Sequence, residues 1–391
     1  MSYYNESETK RRIENIRKIL IKNNLDAALI YYDELNIANG WYLTGWCPQF
    51  EKGAVLLPIN GEPLLLGGPE SEPFAKMNSA IKATRNFPVF MVPDEEYPNA
   101  EIISFQMLNE ELLRGGTTLK RVGVIGTNTL PHAVFTQFES GFKGVELVDI
   151  TDEYELLRSF KSAWEIENVR NAFGLTYEAY LAMKSKVAPG SYEYEIAAEG
   201  EYICRKAGAN SFAYGTIVGS GKRTNAVVPT AINKQLDAGE WVMLGIAPRI
   251  NGYAGCFGET IPVSGEYTKE QKDSLNILRE AVRLTKEMLR PGKCGIEIDK
   301  PARELFIRHG LIDYLVCPFA HTIGLMEAES PFYGPNGTNE LVPGMTICVD
   351  VSFFGHPTLY GARIESGYVI TQNGCEPLSP EMDKIITTDI E

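Results

Sequence analysis

The spacing of hydrophobic residues in the first third of the chain alternates between a helical and a strand pattern. Apolar residues recur at helical spacing over 13–20, which predicts an amphipathic helix. The apolar run over 26–32 predicts a buried strand, and two further runs, 53–58 and 63–67, flank an Asn-Gly pair that is typical of a hairpin turn. With the strand-length runs further along, this alternation predicts a small α/β domain with a mixed sheet.

The rest of the chain has longer helical patterns that are separated by pairs of strand-length runs. Helices are predicted over 162–187, 191–207, 268–289 and 296–309, and strands over 241–249, 253–263, 345–354 and 361–371. This second pattern is typical of an α+β arrangement. We therefore predict two domains, an N-terminal domain of residues 1–156 and a C-terminal domain of residues 157–391.

Composition and charge narrow the class of protein. The 391 residues are 44% hydrophobic and 23% charged, as in packed globular chains, and the formal net charge of -14 disfavours nucleic acid as a partner. No apolar run approaches the roughly 20 residues that cross a bilayer, so no membrane contact is expected. The polar start MSYYNESETKRR does not resemble a secretory signal. The seven cysteines lack C-x-x-C spacing, which favours free thiols and a cytoplasmic location.

Several stretches carry candidate chemistry when they are taken together. In the second domain they are VMLGIAPRINGYAGCFGET from Val242, AHTIGL from Ala320, AESP from Ala328, PGMTICVD from Pro343 and GARIES from Gly361. With LRSFKSAWEIENVRNA from Leu157 and NIANGWYLTG from Asn36, this ordered set resembles the creatinase, prolidase and aminopeptidase P family, the pita-bread hydrolases. The resemblance implies a creatinase-type N-terminal domain and a pita-bread catalytic domain.

In the peptidase branch of that family, five ligands hold two metal ions, and the resemblance locates their positions here. The two Asp positions are occupied by Gly245 and Cys256. His321 and Glu365 match the family's ligands, and Asp350 stands in place of a Glu. A site that has lost two carboxylates is a poor site for two hard divalent ions.

Creatinase and ectoine hydrolase share the family's fold but work without metal, and this chain shares with them the loss of both Asp ligands. We therefore predict no cofactor, and a metal-independent, creatinase-like hydrolysis of a C–N bond in a small polar substrate, an amide or amidine. The predicted catalytic residues are His321, Asp350 and Glu365. Carboxylates crowded in a closed pocket retain a proton near neutral pH, which supplies both an acid and a base.

The predicted substrate-binding residues lie in both domains: they are Glu329, Arg363, Glu259, Phe50 and Lys52. The family's Arg on the first-domain loop, which binds the substrate carboxylate in creatinase, is missing from CPQFEKG, and a further family His falls at Val228, so creatine is not the expected substrate. The family usually dimerises with this loop near the neighbour's pocket. The resemblance therefore implies a homodimer in which Phe50 and Lys52 face the partner's substrate.

Two alternatives stay open. The first is a metal-dependent Xaa-Pro dipeptidase or aminopeptidase with an incomplete set of metal ligands. In that case one Zn or Mn ion is held by Cys256, His321, Asp350 and Glu365. We favour instead a space-filling role for Cys256, because buried cysteine behaves as a small hydrophobic residue. The second alternative is a non-catalytic protein that binds a small molecule in the same pocket.

Overall fold

A computed structural model describes residues 4–93 and 96–391, which divide into two units, 1–158 and 159–391. We propose that these units are the two predicted domains. Within the described residues, no helix combines the length and hydrophobicity needed to cross a bilayer.

In the part of the N-terminal unit that the structure describes, there are six strands, six α-helices and a short 3-10 turn at Pro88–Phe90, and the last helix, α6, runs one residue past residue 158. The strands are β1 (Ala27–Tyr32), β2 (Gly53–Pro58), β3 (Leu64–Gly67), β4 (Thr84–Asn86), β5 (Arg121–Ile125) and β6 (Glu146–Asp149). The helices are α1 (Glu6–Lys22), α2 (Ala38–Thr44), α3 (Glu72–Asn78), α4 (Phe105–Arg114), α5 (His132–Gly141) and α6 (Thr151–Ser159).

These strands form one sheet in the order β4-β3-β2-β1-β5-β6. β2 is antiparallel to β1 and β3, whereas β1 with β5, β5 with β6 and β3 with β4 are parallel pairs. The predicted hairpin and the predicted mixed sheet are therefore confirmed. The buried side chains on this sheet are mainly aliphatic and aromatic, as expected for strands that read as continuous apolar runs.

The C-terminal unit contains five helices and eleven strands. The helices are α7 (Ala163–Ser185), α8 (Glu193–Lys206), α9 (Lys269–Met288), α10 (Gly295–Arg308) and α11 (Pro380–Thr387). The strands are β7 (Ser211–Phe212), β8 (Ile217–Ser220), β9 (Trp241–Ile246), β10 (Pro248–Ile250), β11 (Tyr253–Ala254), β12 (Phe257–Pro262), β13 (Ala320–Thr322), β14 (Glu329–Phe332), β15 (Thr346–His356), β16 (Tyr360–Ile370) and β17 (Cys375–Pro377).

The large sheet of this unit has the order β14-β13-β15-β16-β12-β9-β8, and β17 also pairs with β16. The predicted pair over 241–263 is divided into four short strands. Pro248 follows β9 and has no N–H to continue its ladder. Asn251 and Gly252 both have positive φ, which makes the tight turn between β10 and β11. Helices α7 and α9 pack against the large sheet, so the unit has the predicted α+β architecture.

Candidate functional site

The antiparallel register of three neighbouring strands brings the predicted acids together. Asp350 on β15 lies directly opposite Glu365 on β16, and Gly258 on β12 lies opposite Glu365 on its other side. Opposed residues in an antiparallel pair point to the same side of the sheet. We call this side of the large sheet the front face. It carries Asp350, Glu365 and, two residues before Glu365, Arg363.

His321 joins this face from β13, where it lies opposite Cys348 of β15. Its Nδ1 is 3.2 Å from the carbonyl oxygen of Thr322, so an N–H at Nδ1 donates to that carbonyl and leaves Nε2 directed at the acids. Nε2 lies 3.6 Å from Oε1 of Glu365 and 3.5 Å from Oε1 of Glu327. The histidine therefore faces two carboxylates with one nitrogen.

Arg363 holds the acid that lies beside it. Its Nε donates to Oδ1 of Asp350 over 3.0 Å, and its Nη1 donates to the carbonyl oxygen of Val227 over 2.8 Å. Both side chains are more than nine-tenths buried. Arg363 thus fixes the orientation of Asp350 and ties a loop of the unit to the front face.

Two thiols complete the cluster. The Sγ of Cys348 donates to Oε1 of Glu365 over 3.1 Å, and the Tyr214 hydroxyl is 3.3 Å from the Sγ of Cys256. A Cβ added at Gly245 would lie 3.4 Å from that same hydroxyl. The tyrosine hydroxyl therefore borders the space that a side chain at position 245 would enter.

The protonation of the cluster follows from its crowding. Burial and the other acids raise the pKa of Glu327 to about 7, and burial raises the pKa of Asp350 to about 6 although Arg363 opposes the change. Burial disfavours a charged His321, but Glu327, Glu365 and Asp350 raise its pKa to about 9. Burial also acts against an ionised Glu365, yet His321 and Arg363 hold its pKa below the usual range. Three acids here share the positive charges of one arginine and one histidine.

The donor atoms fall into two groups that could each hold a metal ion. We call His321, Asp350 and Glu365 the histidine group, and Cys256, Glu327, Cys348 and Glu365 the thiol group. Within each group, one ligand atom per residue lies within 4.8 Å of all the others. Nitrogen, sulfur and carboxylate oxygen are the ligands of Zn²⁺ in proteins, so the residues present fit a divalent ion.

The four ligands proposed from the sequence for a single ion do not form one group. Cys256 belongs to the thiol group, whereas His321 and Asp350 belong to the histidine group, and only Glu365 belongs to both. The Cys256 thiol instead lies beside the thiol of Cys348, which is two residues before Asp350 on β15.

Glu259 is predicted from the sequence to bind substrate, but the structure places it on the opposite side of the large sheet, which we call the back face. It follows Gly258 on β12, and adjacent strand residues point to opposite faces. Its carboxylate accepts a hydrogen bond from the Tyr180 hydroxyl and lies 3.4 Å from Nζ of Lys184 and 3.5 Å from Nη2 of Arg279. The structure therefore does not bring Glu259 into the front-face cluster, and its substrate contact stays a prediction.

Glu329 is also held by structural contacts. Its Oε2 is 3.4 Å from Nζ of Lys161, with both side chains almost fully buried, and its Oε1 accepts from the N–H of Met326 over 2.9 Å. Its predicted substrate contact stays a prediction, as do those of Phe50 and Lys52, which lie in the N-terminal unit. The Phe50 side chain is largely exposed.

Sequence reasoning missed two members of the cluster, Glu327 and Cys348. Cys348 lies two residues before Asp350 on β15, so strand alternation alone puts both on the front face. Glu327 lies between β13 and β14, in a segment without regular periodicity. The sequence therefore offered a signal for the thiol and none for the acid.

Comparisons with known proteins identify the family. Residues 167–372 match the model of metallopeptidase family M24, and residues 12–160 match the creatinase/prolidase N-terminal domain. The Xaa-Pro dipeptidase of Pyrococcus furiosus is 28% identical over 371 residues, which cover 95% of this chain and 98% of that protein.

Solved structures of two prolidases have the same fold. The Pyrococcus furiosus prolidase superimposes with a TM-score of 0.77 at 25% identity, covering 96% of this chain and 100% of the other. The Pyrococcus horikoshii prolidase superimposes with a TM-score of 0.80 at 24% identity, covering 94% and 97%. The creatinase-type N-terminal domain and the pita-bread catalytic domain expected from the motifs are thus confirmed.

These matches correct the prediction that the protein needs no cofactor. The C-terminal unit matches a metallopeptidase family, and the relatives named above are dipeptidases, so the cofactor-free interpretation is wrong. The metal-independent, creatinase-like activity is likewise not supported, and the peptidase alternative is closer. The error arose from counting two lost Asp ligands without the donors that the fold supplies from Glu327 and Cys348. This chain is a hydrolase acting on C–N bonds, and it belongs to metallopeptidase family M24.

Proposed function

We propose that this protein hydrolyses the peptide bond of Xaa-Pro dipeptides with the help of a divalent metal ion bound on the front face. The observation that carries the proposal is the histidine group, in which ligand atoms of three buried side chains converge within 4.8 Å. Membership of a metallopeptidase family and the names of the relatives support the reaction and the substrate class.

The histidine group would hold the ion through Nε2 of His321 and carboxylate oxygens of Asp350 and Glu365. A divalent ion bound there supplies Lewis acidity toward the scissile carbonyl and toward water. The hydrogen bond between Nδ1 of His321 and the Thr322 carbonyl keeps Nε2 available as a ligand. Arg363 keeps Asp350 ionised and oriented through its Nε.

Glu327 is the acid that we assign to proton transfer. Its side chain is 18% exposed, against 4% for Glu365 and 7% for Asp350, so it is the most accessible of the three. In the proposed reaction, a carboxylate oxygen of Glu327 takes a proton from the attacking water. As the C–N bond breaks, the same carboxyl returns the proton to the leaving proline nitrogen.

The test is a hydrolysis assay with the full chain. We would strip the purified protein of metal, reload it with Zn²⁺ or Mn²⁺, and measure free proline from Ala-Pro and Met-Pro. Ala-Ala serves as the matched substrate without proline, and Ala-Pro-Ala separates a dipeptidase from an aminopeptidase. We expect metal-dependent release of proline from the dipeptides.

Two outcomes would contradict the proposal. Turnover that is unchanged by chelator would show that the ion is not needed. Tight binding of Ala-Pro without release of proline by either loaded form would favour the non-catalytic binding protein.

We also propose, as predictions from the family resemblance, a homodimer and a cytoplasmic location. Light scattering of the purified protein at micromolar concentration tests the first, and fractionation of the native cells tests the second.

A further inference from the structure

The two thiols of the front face are placed among acids, which is an unusual environment for a space-filling residue. Cys256 and Cys348 have no exposed surface. Cys348 donates to Glu365, and Cys256 lies in the group that contains both Glu327 and Glu365. A neutral thiol offers these acids only a weak hydrogen bond, whereas a cation would neutralise them.

The geometry of the thiol group is close to that of a tetrahedral ion site. Bond lengths of about 2.3 Å for Zn–S and 2.0–2.2 Å for Zn–O place the ligand atoms of such a site roughly 3.3–3.8 Å apart. The four ligand atoms here already lie within 4.8 Å of one another. Small side-chain rotations would therefore close the group around one ion.

We propose that Cys256, Glu327, Cys348 and Glu365 form a zinc site with two thiolate ligands, and that it shares Glu365 with the histidine group. Sulfur ligands favour Zn²⁺ over Mn²⁺ or Mg²⁺, which prefer oxygen. Binding releases the two thiol protons to solvent, and no electrons are transferred. A carboxylate has two oxygens, so coordination by one oxygen of Glu327 leaves the other for proton transfer.

This inference deepens the proposed function, because it gives the metal centre a second position and a preference for zinc. It also explains the loss of two Asp ligands. Tyr214 borders the space beside Gly245, while Cys256 takes the position of the other Asp and supplies sulfur instead of oxygen.

The test uses the metal-stripped, reduced full chain and a readout that does not depend on activity. We would measure zinc stoichiometry by mass spectrometry and zinc affinity by competition with a chromophoric chelator. We would then load Co²⁺ and record the near-ultraviolet absorption of thiolate-to-cobalt charge transfer. We expect that absorption in the wild-type protein.

Four variants locate the ligands. Cys256→Ser and Cys348→Ser should each weaken that absorption and lower zinc affinity at least about tenfold. Cys256→Asp keeps a ligand but replaces sulfur by oxygen, so it should weaken the absorption and shift the metal preference toward Mn²⁺. Cys204→Ser is the matched control, because Cys204 is an equally buried thiol on α8 outside the thiol group. It should leave the absorption unchanged.

The outcomes separate this inference from the proposed function. Wild-type protein without charge-transfer absorption, or Ser variants that match the wild type while circular dichroism shows them folded, would overturn the zinc site. A mass loss of two hydrogens with no zinc bound would also overturn it, since the pair would then be a disulfide. If sulfur-bound zinc is present but no peptide is hydrolysed, the zinc site stands and the proposed function fails.

Discussion

The two faces of the large sheet both bury acids, but with opposite balances of charge. On the back face, the single carboxylate of Glu259 lies beside two cations, Lys184 and Arg279, and a tyrosine hydroxyl. On the front face, three carboxylates contact one arginine and one histidine, and two thiols lie among them. Glu259 has two cationic neighbours for one carboxylate, although burial still raises its pKa. A surplus of buried acids indicates a site that a cation completes.

This difference has a physical basis. Burying an ionised group costs roughly several kcal/mol unless protein partners replace the lost water. The front face leaves that cost partly uncompensated within the chain, and such arrangements concentrate at functional sites.

The largest effect is expected for Glu365→Gln on the front face, because this residue belongs to both ligand groups. We expect kcat/KM for Ala-Pro to fall by about 10³-fold or more, equivalent to about 4 kcal/mol. Glu259→Gln on the back face is the matched variant and should stay within a few-fold of the wild type. Equal losses in the two variants would show that the faces do not differ in function.

Arg363→Met should be the most destabilising change that we propose. It removes the cation at Asp350 and leaves a buried acid unpaired, which costs about 3–5 kcal/mol. Urea denaturation of the metal-free protein measures the loss. Adding Asp350→Asn to this variant should restore part of the stability, because the buried carboxylate that lost its arginine is then replaced by a neutral amide. A double variant as unstable as the sum of the two single variants would show that the pair is not coupled.

The pH dependence of stability tests the back face. Burial raises the pKa of Glu259 from 4.5 to about 7, although Arg279 opposes the change. Lys184, Tyr180 and Tyr267 also face this carboxyl. The folded state then retains a proton that the unfolded chain releases above pH 4.5. The stability that Glu259 contributes is therefore present below that pH and is lost as the pH rises through 7.

Comparing wild type with Glu259→Gln isolates this contribution. Between pH 4 and 8, the wild type should lose up to about 3 kcal/mol relative to the variant, as measured by urea denaturation. A change of opposite sign would show that Lys184 and Arg279 outweigh burial and lower the pKa of Glu259.

The smallest effect is expected for Tyr180→Phe. This change removes one hydrogen bond to Glu259 without removing either cation, so we expect a loss of about 1–2 kcal/mol in stability. Hydrolysis of Ala-Pro should be unchanged, since the Tyr180 hydroxyl donates to Glu259 on the back face and not to the acids of the front face. A change in kcat/KM without a change in stability would link the back face to the reaction.

The sequence motifs locate most of the front face by themselves. They predict His321, Asp350 and Glu365 as one catalytic set, and the structure places these three residues in one ligand group. Glu259 and Cys256 are three residues apart in the strand that the sequence predicts over 253–263. An odd spacing in a strand puts two side chains on opposite faces.

Local patterns in the sequence determined the elements of this protein, the mixed sheet and the family to which it belongs. Hydrophobic periodicity and turn residues act over a few positions, so they can be read from the chain directly. The tertiary structure alone brings Glu327 from an irregular segment, Cys348 from β15 and Cys256 from the position just before β12 together at Glu365. Such a meeting depends on sheet order and register, which are long-range pairings that no local pattern encodes.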